Sequence, residues 1–399
     1  MSISNHNSTS FNKHFGYTLV ELLVVMGVIV ILASVTLPFV RELLHDQKLS
    51  QTARIVQGYA ESVRAKAMAS GRRTALILER LRYDGLGGIA ADVRIGQNTC
   101  IRLSTGEVFP PYEGDWAGST GTLVGNGSIV TGIQIPLAQA ASLWDTSTGK
   151  PSGLVSVGDS IEFGDRQQGF VIPTDPTLLA NSNILIPVSN PPTASLSGIP
   201  GSVQIAESMW TPGISVRFRI HRKPSKSLSG SVILPRGTCI DLTMSGTGLT
   251  GREFSTDTIQ GISKYVNDDY GQVYIVFGPR GTVELAYYQA RPTDNASAFV
   301  RVFPTGIFHL MIGRTDQVLP NSLLAPFTPG AESERDDFKA NIMDPGNFWV
   351  SLNPYSGAIY SSSVTAPTIP SGMAPAAAIP FRTAQARQFA TVVLNRGGT

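Results

Sequence analysis

The residues best placed to do chemistry in this chain are a glycine, an aromatic residue behind it and, four positions on, a carboxylate: Gly16-Tyr17-Thr18-Leu19-Val20-Glu21. Glu21 opens an otherwise uncharged run, since the nineteen residues from Leu22 to Val40 hold no ionisable side chain. A helix rising about 1.5 Å per residue needs about twenty apolar residues to cross a hydrocarbon core of about 30 Å. An ionisable group at the edge of such a segment is read first as functional, with a partner to be named. Its chemistry is electrostatic: a carboxylate in the first turn of a helix is favoured by the helix dipole and can pair with an amine.

Other chemical patterns are weak. Gly246-Thr-Gly248-Leu-Thr-Gly251 fits G-x-G-x-x-G after a strand, but Arg252-Glu-Phe-Ser-Thr-Asp257 has no helical apolar period, so a turn is expected. The histidines, His6, His14, His45, His221 and His309, are scattered, and no metal-ligand spacing joins them to Cys100 and Cys239. There is no Gly-x-Ser-x-Gly elbow and no phosphate loop. Asp268-Asp269 and the cluster from Glu332 to Asp337 lack the spaced oxygen ligands of a calcium loop and read as solvated. No catalytic residue, cofactor or metal is expected. Arg217, Arg219, Arg222 and Lys223 form a dense basic strand and turn, the candidates for contact with DNA. Without clustered exposed aromatics, a solvated sheet face is the plainer reading.

The residues before Tyr17 are polar, include Lys13 and His14, and read as a short cytoplasmic leader. An ordinary secretory signal needs an apolar core of about 7–15 residues and an Ala-x-Ala-like cut. This run is too long, and Ala33-Ser34-Val35 ends on a bulky residue. Gly16-Tyr17-Thr18-Leu19-Val20-Glu21 before a long apolar helix resembles the processing signal of type IV pilins and the pseudopilins of type II secretion. The resemblance implies that a prepilin peptidase cuts after Gly16 and methylates the new amino terminus at Tyr17. Glu21 then becomes the fifth mature residue, and Pro38 falls where the family often has a proline. Tyr17 stands where the family usually has Phe and keeps the ring. The resemblance also implies partners: the peptidase, other pilin or pseudopilin subunits packed through the helix, the inner-membrane assembly platform and membrane lipid. Glu21 would set register against a neighbour's amine. The implied location is the inner membrane, single-pass with a cytoplasmic amino terminus and a periplasmic head, and then the filament.

The elements that carry this segment follow from periodicity. Beyond Pro38, Leu49, Ala53, Val56, Tyr59, Ala60, Val63 and Ala67 recur at steps of three and four and define one helical face. Gly71 is a stop. One helix from Tyr17 to Ser70 is expected, about 80 Å long, with a kink or local break at Pro38. The rest is only 15% charged and rich in glycine and proline, which suits short strands between turns. The alternation of Ile214 to Ile220 puts Val216, Phe218 and Ile220 on one face and Arg217 and Arg219 on the other. Further strands are expected at 74–79, as a pair within 155–172, and at 231–234, 238–244, 273–277, 282–288, 299–303, 307–312 and 348–352. The net charge of +2 argues neither for nor against an acidic partner.

Ala53 to Ala69, Arg73 to Leu78, Tyr274-Ile-Val-Phe-Gly-Pro-Arg-Gly281 and Val350-Ser-Leu-Asn-Pro-Tyr-Ser-Gly357 resemble the H-type minor pseudopilins and FimT-like minor pilins, a helix followed by a β-sandwich head. The implied fold is α+β: a long amino-terminal helix and a mainly antiparallel, sandwich-like β head with a large insertion. The expected division is a leader 1–16, an assembly helix 17–71, a head 72–363 with an insertion at 104–212, a linker 364–380 and a tail 381–399, either an ordered tail or a short terminal helix over 381–394. Cys100 and Cys239 could join insertion and sheet by a disulfide or stay as two buried thiols. The implied function is a non-enzymatic minor pseudopilin of a type II secretion pseudopilus or type IV pilus. The alternatives are a DNA-binding minor pilin for uptake and an uncleaved membrane-anchored β receptor.

Overall fold

A computed structural model of the chain describes residues 19–81, 98–126, 129–164, 169–188, 211–228, 230–255, 272–290, 298–318, 340–365, 367 and 375–396, with the backbone alone at 35–45, 289–290, 298–300, 375–379 and 393–396. It divides into two units, Met1–Gln47 and Lys48–Thr399. Helix α1, Leu19–Ser70, gives its first part to one and its second part to the other. The helix continues through Pro38 without a break in its assignment. Proline deletes only its own N–H, and the rest of the hydrogen-bond ladder can proceed. Gly71, at φ +63°, ends it in the left-handed conformation that suits glycine.

In chain order the first strands are β1 Thr74–Arg80 and β2 Thr99–Glu107. Next come β3 Thr120–Asn126, β4 Ile129–Pro136, β5 Trp144–Asp145, β6 Lys150–Pro151, β7 Ser160–Phe163, β8 Gly169–Val171, β9 Thr177–Leu178, β10 Asn183–Pro187 and β11 Ser215–His221. The remainder are β12 Ser225–Lys226, β13 Val232–Ile233, β14 Thr238–Thr247, β15 Val273–Phe277, β16 Val283–Ala290, β17 Ala298–Val302, β18 Phe308–Arg314, β19 Phe348–Leu352 and β20 Ile359–Ser363. Helix α2, Pro375–Arg396, comes last.

The fold is α+β with a mainly antiparallel head. An 11-stranded sheet runs β17-β16-β15-β1-β2-β14-β18-β19-β20, with β12 and β13 paired to β2. Successive side chains of a strand leave opposite faces, and both faces of this sheet are covered. Leu310, Ile312, Val350 and Leu352 share a core with Ala53, Val56, Ala60, Val63 and Ala67 of α1. Met311 and Trp349, one residue out of step, share a core with Ala386 and Ala390 of α2.

A 7-stranded sheet, β8-β7-β11-β3-β4-β10-β9, keeps its own core of Leu123, Ile133, Ile161, Phe163, Ile184, Phe218 and others. It differs in extent from the expected insertion. β11, beyond Pro212, pairs with β3 and β7, because Val216, Phe218 and Ile220 are buried in this second core. β2, from Ser104 to Glu107, stays in the larger sheet against β1. The sheets meet where Arg301 of β17 pairs with Glu162 of β7, both nearly buried, while His221 lies 2.9 Å from the same carboxylate.

The expected linker 364–380 is shortened, and of the two expectations for 381–394 the helix is the one seen. β20 runs to Ser363 and α2 begins at Pro375, so the last residues of the linker are helical, and the terminal helix extends beyond 381–394 at both ends. Proline suits a first helical turn, and Ala376-Ala377-Ala378 has the highest helix propensity of any residue type.

Candidate processing and assembly segment

The two parts of α1 differ in what surrounds them. In the first, Glu21 lies in the first turn, where a carboxylate complements the positive end of the helix dipole. Around it, Leu19, Val20, Leu22, Leu23, Val24, Val25, Met26, Val28, Ile29, Val30, Ile31 and Leu32 are all exposed, from 49% at Val25 to 81% at Leu19. Such a continuous apolar surface is not a stable state in water and marks a face meant for lipid or protein. Gly16 and Tyr17 lie outside the described residues, and of Pro38 the backbone alone is described.

In the second part, Leu49, Ala53, Val56, Ala60, Val63 and Ala67 are buried, the face the spacing predicts, with Tyr59 packed at its edge. Polar side chains flank the face. The Tyr59 hydroxyl donates to Gly230 O at 2.9 Å and Gln57 Nε2 to Ile359 O at 3.2 Å. Arg64 Nε donates to Gly281 O at 3.0 Å and its Nη2 to Ser356 O at 3.4 Å. The turns 278–281 and 353–357, far apart in sequence, are thus gathered at the end of α1. A Cβ on Gly357, already at φ +66°, would overlap Gly281 O, so both position and conformation require glycine.

The other candidate residues do not form one site. Cys100 and Cys239 are both buried and free. Cys100 lies opposite Ile240, so Cys239, the next residue along, projects from the other face of the sheet and no bridge forms. Burial pushes the Cys100 thiol up to about 12 and raises Cys239 well above its ordinary value, which keeps both protonated. Arg217 and Arg219 are exposed on β11 while Val216, Phe218 and Ile220 are buried. Arg219 Nε lies 2.7 Å from Glu113 Oε1, Arg222 sits over the Phe109 ring at 4.7 Å, and Lys223 Nζ donates to Val157 O at 3.3 Å. The basic cluster is largely engaged within the head.

Asp268-Asp269 and the cluster from Glu332 to Asp337 lie outside the described residues, and among the described residues no group of His, Cys, Asp and Glu is arranged to hold a metal ion. Gly246 to Gly251 closes β14 as a turn. His309 Nδ1 lies 2.8 Å from Ser351 Oγ, a pairing that could suggest a nucleophile and base. Both are buried, and burial, with Arg387 nearby, lowers the histidine well below its ordinary value.

Residues 11–37 match the prokaryotic N-terminal methylation motif. The match covers the glycine, the residue after it, Glu21 and the whole exposed apolar stretch from Leu19 to Leu32. No curated protein matches the chain, and no solved structure does. The methylation motif supports the type IV pilin and pseudopilin family, whose members are structural subunits, processed by a prepilin peptidase and assembled with other pilins. It also supports a chain anchored in a membrane before it enters a filament. Among the described residues, no helix is long and apolar enough to cross a membrane. Side chains of the apolar part are described only over 19–34, short of a span.

Sequence reasoning missed the contacts of Thr52 and Arg387. Thr52 is buried in the apolar face of α1 with its Oγ1 2.8 Å from Thr238 Oγ1. Arg387 of α2 is fully buried, donating to Met244 O at 2.6 Å and Gly248 O at 2.7 Å over the Trp349 ring. No local signal marks either, because each is set by a partner distant in sequence.

Proposed function

We propose that the chain is a minor pseudopilin or minor pilin, made with the leader 1–16, inserted single-pass in the inner membrane and cut between Gly16 and Tyr17. Tyr17 is methylated, and the subunit enters a type II secretion pseudopilus or type IV pilus through residues 17–71. Residues 72–363 form the head. The observation that carries this reading is the methylation motif on a helix that exposes its large apolar side chains from Leu19 to Leu32 while its second part is fixed to the head. Buried contact between such helices drives packing, and Glu21, held one turn from the new amino terminus, pairs with a neighbour's amine to set register. The assembly platform hands the subunit from lipid to filament.

The test is the intact mass and amino-terminal sequence of the protein from its native membrane, with two variants. A chain beginning at N-methyl-Tyr17 is expected, Gly16→Val is expected to stay uncut, and Glu21→Ala to be cut but absent from filaments. A retained Met1 would leave an anchored β receptor, and normal assembly of the Glu21→Ala variant would remove the register role.

A further inference from the structure

The second sheet carries a cleft outside the processing and assembly segment. A cavity of about 340 Å³ opens between the loop 113–119 and the exposed face of β11. That volume is at the lower end for small-molecule sites and has room for a mono- or disaccharide. Trp116, 68% exposed, stands in its wall. An exposed indole is usually left mobile, but this one is fixed: its Nε1–H donates to Ala138 O at 2.8 Å. The loop beneath is pinned as well. Asp115 N donates to Gln139 O at 2.8 Å, and Asp115 Oδ2 accepts from Ser142 N at 2.9 Å. The Tyr112 hydroxyl donates to Asp115 Oδ1 at 2.9 Å. Gly114 and Gly118 take φ of +96° and +84°, turning the chain sharply on either side of the tryptophan.

The opposite wall is polar and electrically balanced. Arg219 is paired with Glu113, and the Arg217 side chain has no hydrogen bond or ion pair among the described residues. Two guanidinium groups and the carboxylates of Glu113 and Asp115 sum to zero, which removes the positive field that a phosphate backbone needs. The wall still offers planar donors and acceptors beside an aromatic face. Sugars present that combination in reverse: a face of C–H bonds that lies on an indole and a rim of hydroxyls that both donate and accept. We propose that this cleft binds an uncharged carbohydrate, with one sugar ring on Trp116 and its hydroxyls to Arg217 and the Arg219–Glu113 pair. The inference does not depend on processing at Gly16.

The full chain, purified in a detergent without a sugar headgroup, is titrated by calorimetry with chitobiose, cellobiose, maltose and lactose. Saturable binding of at least one, in the millimolar range or tighter, is expected. Trp116→Ala is expected to weaken it by about tenfold or more and Trp116→Phe to retain it within about threefold, with unchanged thermal unfolding in both. Arg217→Ala, on an exposed strand position, is expected to weaken it without disturbing the loop. Absence of saturation with all four disaccharides, or equal affinity in the Trp116→Ala variant, overturns the proposal. Salt-dependent binding of a double-stranded DNA oligonucleotide that Arg217→Ala abolishes would also overturn it, assigning the cleft to phosphate instead.

Discussion

One helix carries two opposite surfaces. Between Leu19 and Leu32 α1 shows its large apolar residues to the outside, whereas from Leu49 to Ala67 it hides every apolar residue of one face against the 11-stranded sheet. Secondary structure is the same in both, so the difference lies in where the partner comes from. The second part has its partner in its own chain, with polar residues only on the remaining faces, as an amphipathic helix requires. The first part has no polar face after Glu21 and needs lipid or other copies around its full circumference. A subunit built this way can keep its head folded while its assembly surface passes from membrane to filament.

The strongest way to break this contrast is to place the same charge in each part. Val63→Asp puts a carboxylate at a position 1% exposed in the main core, and a loss of about 4 kcal/mol or more in head stability is expected by urea unfolding. Val24→Asp, at a position 57% exposed, is expected to leave head unfolding within about 0.5 kcal/mol while blocking incorporation into filaments. Equal destabilisation by both would show that the first part is also held by the head. Gly357→Ala comes next. It combines left-handed strain with overlap onto the Gly281 carbonyl and should cost about 3 kcal/mol, loosening the Arg64 contacts that fix the end of α1. A variant that melts as the parent does would mean that these turns do not hold the helix.

The far face of the sheet sharpens the comparison because buried polar groups, Asp241, Asn341 and Asn347, lie beside its apolar residues. Asp241 accepts from Thr243 N at 2.9 Å and from Asn341 Nδ2 at 2.9 Å, and Asn347 Nδ2 donates to Asn341 O at 2.8 Å. Burial outweighs these hydrogen bonds and raises the Asp241 carboxyl to about 6. A carboxyl whose folded pKa lies above its unfolded value holds its proton longer in the native state. Stability therefore falls as pH rises between about 4 and about 6, and the loss is then complete. Relative to Asp241→Asn, the parent is expected to lose about 2 kcal/mol between pH 4 and pH 7, read from denaturant unfolding at both pH values. A constant difference would mean that the carboxyl titrates normally.

How much of this was legible depended on whether a signal was local. The buried face of α1 was readable because six side chains at helical spacing need no knowledge of the partner. β15 and β19 were readable for the same reason, as Val273–Phe277 and Phe348–Leu352 are apolar runs closed by turns. β3 and β10 were not: Thr-Gly-Thr-Leu-Val-Gly-Asn carries little β signal, and the pairing of Thr122, Leu123 and Val124 with β4 supplies it. The N-terminal methylation motif was legible because it is itself a string of residues, 11–37, and needs no partner from the fold. The cleft at Trp116 was not, because it forms only where β11 returns beside a loop about a hundred residues earlier in the chain. Arg387 was likewise invisible, its carbonyl partners lying across the sheet at the end of β14 and on the turn after it.

The smallest expected effect tests the one buried hydroxyl among the apolar residues that hold α1 to the head. Thr52 Oγ1 donates to Lys48 O at 2.7 Å and lies 2.8 Å from Thr238 Oγ1, which itself donates to Pro235 O at 2.7 Å. Two hydroxyl protons cannot fill three such contacts, so the Thr52 to Thr238 contact is served only at the expense of a bond to a carbonyl. Lys48 O also belongs to the helix ladder and is not orphaned when the hydroxyl goes. Thr52→Val, which keeps the shape, should therefore cost about 1 kcal/mol rather than the larger penalty of a stranded polar group. Pro235 O likewise keeps a donor, Thr238 N at 3.1 Å, so Thr238→Val should cost a similar amount. With both hydroxyls gone, the double variant is expected to be more stable than the sum of the single losses predicts, by about 0.5 kcal/mol in a denaturant-unfolding cycle. Strict additivity would show that the two hydroxyls do not compete and that the helix is held here by packing alone.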